Sequence, residues 1–264
     1  MSKSRDSRKA KAIELVQQHV PAGGSVLEVS CGQGGELSRL KTLGYKVRGT
    51  NFSKYEDVLG DIEVDDGVDI MKHLPYEDNS FDCVLVLEVA SHLSDHDHPV
   101  SELGRVCAEG GHVIVMTPNI MRLTSRLHFF LTGFLKVKRA FIGFDVPHQS
   151  AFAFHNYPPH LPVFLYQLYS HDLQCVDFTA SVYKMKSFIL YVMFLPVIWL
   201  ATGWKVNFEE KNLKGTAAAK KLHQVLTSVA GLCGEYWFVV AQKRIESRDT
   251  NTTLPKWSET WETK

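Results

Sequence analysis

Read as apolar and polar positions, the first half of the chain alternates short hydrophobic runs with amphipathic ones. Ile13, Leu15, Val16 and Val20 fall on one helical face, and Pro21 closes that run. "SVLEV" (25–29) is a short apolar stretch with β-branched residues, "GELSRLKTLG" (35–44) has helical spacing, and "GYKVRGT" (44–50) reads as a second strand. "FDCVLVLEV" (81–89) and "GGHVIVMTPN" (110–119) are continuous apolar runs of the kind buried on both faces. Between them "HPVSELGRVCAEG" (98–110) reads as an amphipathic helix stopped by glycine. Strand and helix in alternation predict a parallel sheet with helices on both sides. Further on, "PVFLYQLYSHDL" (162–173) is helical in pattern, "QCVDFTASVY" (174–183) strand-like, and "GEYWFVVAQKR" (234–244) a closing strand. The last two strands are separated by a long insertion, about 184–234, where a compact fold uses a short turn.

Composition changes this picture little. Lys plus Arg and Asp plus Glu both total 29, so no global field draws the chain to nucleic acid, and a nucleic-acid partner is not expected. Five cysteines stand far apart with no C-x-x-C pair, which fits a reducing cytoplasm better than a disulfide framework. The basic N-terminal segment lacks the apolar core of a secretory signal. The expected organisation is a basic N-terminal helix over 1–22, a main domain over 23–245 with a lid segment about 120–160, and a polar tail over 246–264.

The first candidate chemistry lies in "VLEVSCGQGG" (26–35). Gly32, Gly34 and Gly35 let a ligand approach the backbone, and the helix that follows offers unpaired N–H groups. A Walker loop would need G-K-[ST], and a dinucleotide fingerprint would need glycine where Leu37 stands. Glu28, just before the glycines, would repel a pyrophosphate and suits a ligand carrying an ammonium group.

"VLEVSCGQGGELSRL" resembles motif I of the class I S-adenosylmethionine-dependent methyltransferases. The likeness continues through "VDIMKHLPYEDNSFDCVLVLEVASHL" and "ELGRVCAEGGHVIVMTPN" in the expected order. It implies a Rossmann-like, mostly parallel α/β sheet of seven strands with an antiparallel last strand, and S-adenosyl-L-methionine as cofactor. Position by position, it implies that Glu28 holds the cofactor's ammonium group, while backbone at Ser30, Cys31, Gly32 and Gly34 lines its methionine and ribose. Leu87 closes the strand beside it, Asp69 accepts from the adenine amine, and Ile70 packs on the ring. Two departures stand out: Asn51 replaces the acid that grips the ribose hydroxyls, and Ser30 replaces a glycine, a change that looks mild from side-chain size alone. A solvated turn is the plain alternative for Asp69.

For the acceptor side the expected reaction is in-line transfer of a methyl group, with histidine as the usual base for a hydroxyl nucleophile. Glu88 and His92 follow the fourth strand at the mouth, with Asp95 and His96 behind them. The family pattern E-V-x-E-H-L is here "EVASHL", with Ser91 at the second acid; one acid short of the set that binds metal in similar small-RNA methyltransferases, the chain is assigned no metal. His148, His155 and His160 cluster among aromatics, and His155 matches a pocket-facing histidine of similar enzymes, as base or substrate ligand. Each also has a purely structural reading, such as His92 steadying its loop.

"SFILYVMFLPVIWLATGW" (187–204) carries no charge and is bounded by Lys186 and Lys205. It barely reaches bilayer thickness, Pro196 is expected to break it, and a single span would part the closing strand from its sheet. Two readings stay open: a peripheral anchor on the cytoplasmic membrane face, or a lid or dimer contact. With "TPNIMRLTSRLHFFLTGF" (117–134), it points to O-methylation of a glycan or a lipid-linked small molecule at the membrane surface. The rival is a regulatory protein that binds the cofactor without chemistry.

Overall fold

The computed structural model describes residues 3–137, 154–210 and 214–245; His148, Lys211 and the expected polar tail lie outside them. Seven strands form one sheet: β1 (Ser25–Val29), β2 (Lys46–Asn51), β3 (Glu63–Asp66), β4 (Phe81–Leu87), β5 (Cys107–Pro118), β6 (Leu173–Tyr183) and β7 (Gly234–Lys243), in the order β3-β2-β1-β4-β5-β7-β6. All pairings from β3 to β5 are parallel, and β7 runs antiparallel to both β5 and β6. Seven strands, with the last in sequence antiparallel, are what the family resemblance implies.

Both faces of the sheet are covered, which is why its central strands read as continuous apolar runs. On one face α1 (Lys3–His19) and α2 (Gly35–Thr42) pack Ala12, Leu15, Val16 and Leu40 against Val26, Leu85, Ile114 and Phe238. The N-terminal helix is thus part of the core, with Leu15 and Val16 fully buried. On the other face α3 (Asp97–Val106), α5 (Leu161–Ser170) and α7 (Ala217–Thr227) meet Leu27, Val84, Val113 and Trp237.

Three local expectations are corrected. The stretch read as helix to Gly110 leaves the helix at Val106, and Cys107 already pairs with Phe81 as strand. Sheet hydrogen bonds there outweigh the local helical pattern. β3 was not predicted, because "EVDD" is short and acidic and is made a strand by its pairing with β2. Finally, α6 (Met185–Trp204) runs unbroken through Pro196. Proline removes one internal hydrogen bond, and the turns around it are held where Leu190, Tyr191, Leu195 and Ile198 pack on Leu123, Leu232 and Cys233.

The insertion is therefore helical: α6, a π-helical turn Lys205–Glu209, α7, and α8 (Val229–Cys233) return the chain to β7. By length and composition alone, Met185–Glu209 is apolar enough to cross a membrane. Yet β6 and β7, the strands that flank it, are hydrogen-bonded neighbours from Leu173–Lys243 to Tyr183–Gly234. One crossing would part them, so with this sheet intact α6 lies along the protein.

Candidate active site

The turn after β1 is built from three residues with positive φ: Ser30 (57°), Gly32 (59°) and Gly34 (72°). Glycine adopts that region freely, whereas an L side chain pays about 1–2 kcal/mol. The serine at position 30 is thus a strained departure rather than a mild one. A Cβ on Gly32 would meet nothing within 4 Å, so the loop presents bare backbone on its open side.

Asn51, 1% exposed at the end of β2, holds this loop from beneath. Its Oδ1 accepts from the Gly32 N–H at 2.8 Å, and its Nδ2 donates to the Gly32 carbonyl at 3.0 Å. An aspartate could not make the second bond, which gives the amide a reason the sequence does not show. Cys31 lies alongside, its thiol pushed up to about 12, chiefly by burial and then by the negative charge of Glu28, which disfavours the thiolate.

Glu28 is 3% exposed, and its Oε2 has no hydrogen-bond partner among the described residues. Burial, helped by the nearby Glu36 carboxylate, raises its pKa well above the ordinary value; Lys9 opposes that shift. Leu87 closes β4 beside it, and Ile70, 5% exposed, joins the core on the far face of the sheet. Asp69 is partly used by its own turn, where its Oδ1 accepts from the Met71 N–H at 3.0 Å. An open cavity of about 500 Å³, lined among others by Arg48, Asp65 and Tyr76, adjoins this group only through Asp69.

At the end of β4 the backbone turns sharply: Glu88 has φ 64° and donates its N–H to the Met116 carbonyl. Its carboxylate pairs with Arg8 of α1. The next turn, Ala90–His92, receives a distant segment: Ser91 Oγ and His155 Nδ1 are 2.6 Å apart, the Tyr157 N–H donates to the Ser91 carbonyl, and His92 Nδ1 lies 2.9 Å from the Phe154 carbonyl. The two imidazole rings stand 4.8 Å apart. Since a carbonyl only accepts, His92 Nδ1 must carry the proton, leaving Nε2 as the acceptor of the ring. Burial pulls the His92 pKa below the ordinary 6.5, favouring that neutral form. His96 is used differently, its Nε2 bonded to the Ala90 carbonyl, and His160 stands just before α5.

Glu28, Ser30, Cys31, Gly32, Gly34, Asn51, Leu87, Glu88 and His92 thus lie at the C-terminal ends of β1, β2 and β4, with His155 joined to His92's turn across 64 positions of sequence, while Asp69 and Ile70 follow β3. Sequence reasoning missed two: Arg8 and Lys9, whose positions continue the buried stripe of α1 at helical spacing from Ala12 and Val16.

Residues 27–115 match the methyltransferase domain family. Methyltransferase GfsG of Streptomyces halstedii is 35% identical over 107 residues, which are 36% of this chain and 38% of that one. The chain therefore spans little over a third of that relative's length. Among solved structures, a S-adenosylmethionine-dependent methyltransferase from Archaeoglobus fulgidus superposes with a TM-score of 0.53 at 16% identity, covering 91% of this chain and 96% of that one. Phosphoethanolamine N-methyltransferase 2 of Haemonchus contortus, solved with phosphomonomethylethanolamine and S-adenosylhomocysteine, gives 0.50 at 17% identity over 89% of this chain and 53% of that one. These two likenesses concern the fold, and what the family match adds is confined to residues 27–115, which carry a methyltransferase domain.

Proposed function

We propose that the protein methylates an oxygen of a glycan or lipid-linked acceptor, working peripherally at the cytoplasmic face of a membrane. The observation that carries the methyl-transfer reading is Glu28: a carboxylate buried to 3% exposure, with one bare oxygen, beside a loop of exposed backbone. Such a group is costly unless a cation meets it. The ammonium end of S-adenosylmethionine is that cation, so the residues present fit the cofactor, which supplies an electrophilic methyl group on sulfonium sulfur. Ser30, Cys31, Gly32 and Gly34 offer backbone to its methionine and ribose, Asn51, whose Oδ1 already accepts from the Gly32 N–H and the Cys31 thiol, keeps one amide N–H for the ribose, and Asp69, Ile70 and Leu87 receive the adenine and the strand side.

On the acceptor side His92 is the preferred base. Its tautomer leaves Nε2 able to take the hydroxyl proton as the oxygen becomes nucleophilic, and its depressed pKa keeps it neutral near pH 7. His155, tied to Ser91, orients the acceptor beside it. Glu88, paired to Arg8, contributes charge at the mouth rather than proton transfer.

The acceptor class rests on an apolar surface. α4 (Leu123–Thr132) exposes Leu127, Phe129, Phe130 and Leu131, with Phe130 84% exposed, and α6, packed beside it, exposes Ile189, Val192, Val197 and Trp199. Lys186 on α6 and Lys214 and Lys220 later in the same insertion are exposed, which suits an anionic bilayer surface better than a second copy of the same apolar face. The test is transfer of radiolabelled methyl groups in a membrane-containing extract: label in the lipid-linked or glycan fraction is expected, and label confined to nucleic acid or protein would overturn the acceptor. One observation favours a regulatory protein instead, namely that Asn51 is largely committed to Gly32 and brings no carboxylate to the ribose. Cofactor binding without any labelled product would select that reading.

A further inference from the structure

The buried stripe of α1 ends in two cations. Ala12, Leu15, Val16 and Val20 press into the core at 4% exposure or less, and Arg8 and Lys9, one turn earlier on the same side, are carried over the strand ends. Lys9 Nζ lies 2.5 Å from Glu36 Oε1, and it would stand 3.3 Å from a Cβ placed on Gly35, directly above the start of α2. Arg8 reaches the other lip of the cleft, paired with Glu88 and with its guanidinium 4.1 Å from the centre of the Tyr236 ring.

We propose that Lys9 receives the carboxylate of the cofactor's amino-acid end, completing on α1 the recognition that Glu28 begins on β1. The inference rests on the S-adenosylmethionine reading of the site and adds a binding residue to it. A zwitterion carries its ammonium and carboxylate on one carbon. Seating the ammonium on Glu28 therefore brings a negative group to within a few ångströms of Glu28 itself and of Glu36, which is 6% exposed. Two carboxylates in a poorly solvated corner repel a third unless a cation stands between them. Lys9 is the cation that meets Glu36 there. An ammonium group has three donors, so Lys9 can keep Glu36 and take the cofactor's carboxylate with another. Arg8, held by Glu88 and Tyr236, keeps the helix end in place over the mouth and acts as a positioning residue.

The test is calorimetric titration of the full chain with three nucleosides: S-adenosylmethionine, its decarboxylated analogue, and 5′-methylthioadenosine, which lacks the amino-acid end. The parent is expected to prefer S-adenosylmethionine over the decarboxylated analogue by roughly 10- to 100-fold, the scale of one charge-assisted contact. Lys9→Met should remove most of that preference by weakening S-adenosylmethionine alone, and Lys9→Arg should restore part of it. Unchanged binding of 5′-methylthioadenosine shows that the variant is folded. Equal losses for both charged nucleosides, an undiminished preference, or tighter S-adenosylmethionine binding in Lys9→Met would each overturn the role of Lys9. A parent that binds 5′-methylthioadenosine but does not distinguish the other two would also overturn it while leaving the cofactor reading in place. A parent that binds none of the three would remove the cofactor reading, and Lys9 with it.

Discussion

The strand ends of β1, β2 and β4 and the outer faces of α4 and α6 meet water in opposite ways. At the strand ends, buried and half-buried polar groups are answered one by one, Asn51 by both backbone atoms of Gly32, His92 by the Phe154 carbonyl and Ser91 by His155, while Glu28 Oε2 is left without a partner among the described residues. Along α4 and α6, large apolar side chains face outward: Phe130 is 84% exposed and Val197 64%. The first region is held in one geometry, as the proposed binding of a small, charged ligand requires, because each buried polar group tolerates only a geometry that satisfies it. The second has no such geometry to enforce. It suits an extended, non-directional partner, since burial of apolar area depends little on orientation.

That contrast can be broken or sharpened by substitution, starting with the largest effect. Replacing His92 with Gln should slow methyl transfer by about 100- to 10,000-fold, the usual range for loss of a general base. In the parent, burial lowers the imidazole pKa, so the active neutral form persists to lower pH: the rate should rise through a midpoint below 6.5 and level off above it. A parent profile still climbing steeply above pH 8 would assign the proton transfer to another group.

Next comes Glu28→Gln, which should weaken S-adenosylmethionine by roughly 100-fold in calorimetry. Stability should move the other way. The folded pKa of Glu28 is raised above the unfolded value, so its favourable contribution is complete below the unfolded pKa and is lost as pH rises through the folded one. The uncharged Gln variant should therefore melt above the parent in neutral and alkaline buffer, while the two converge in acid. A variant that melts lower at every pH would mean that Glu28 serves the fold and not a ligand.

On the apolar face, Val192→Glu combined with Val197→Glu should cut co-sedimentation with anionic vesicles by about tenfold or more, given roughly 1.5–3 kcal/mol per buried valine side chain. Binding of the cofactor should not change. Unaltered sedimentation would transfer this face to some other partner. The smallest effect belongs to Ser30→Gly, which relieves a positive φ and should raise stability by about 1 kcal/mol in urea unfolding. A loss of stability there would show that the serine hydroxyl contributes more than the strain costs.

Much of this molecule is legible in its residues. β1, β4, β5 and β7 are apolar runs buried on both sides, and such runs identify themselves without any partner. The glycine loop, Glu28 and Asn51 also fall within one short βαβ unit, where sequence spacing fixes distance. β3 escaped because Val64 is the single apolar residue among its four and they become a strand only through β2. The bond between Ser91 and His155 escaped too, since nothing local links positions 64 apart. Arg8 and Lys9 were visible only as general basicity, although their helical phase with Ala12 and Val16 held the clue.

By itself, then, the sequence determined most of the elements and the glycine loop, because hydrophobic period and backbone permissiveness are properties of neighbouring residues. The tertiary structure decided which histidine holds its proton on which nitrogen, that α1 brings a lysine to a buried carboxylate pair, and that α6 lies along the protein. Those outcomes depend on hydrogen bonds, charge pairs and strand neighbours contributed by distant parts of the chain, and only folding brings those parts together.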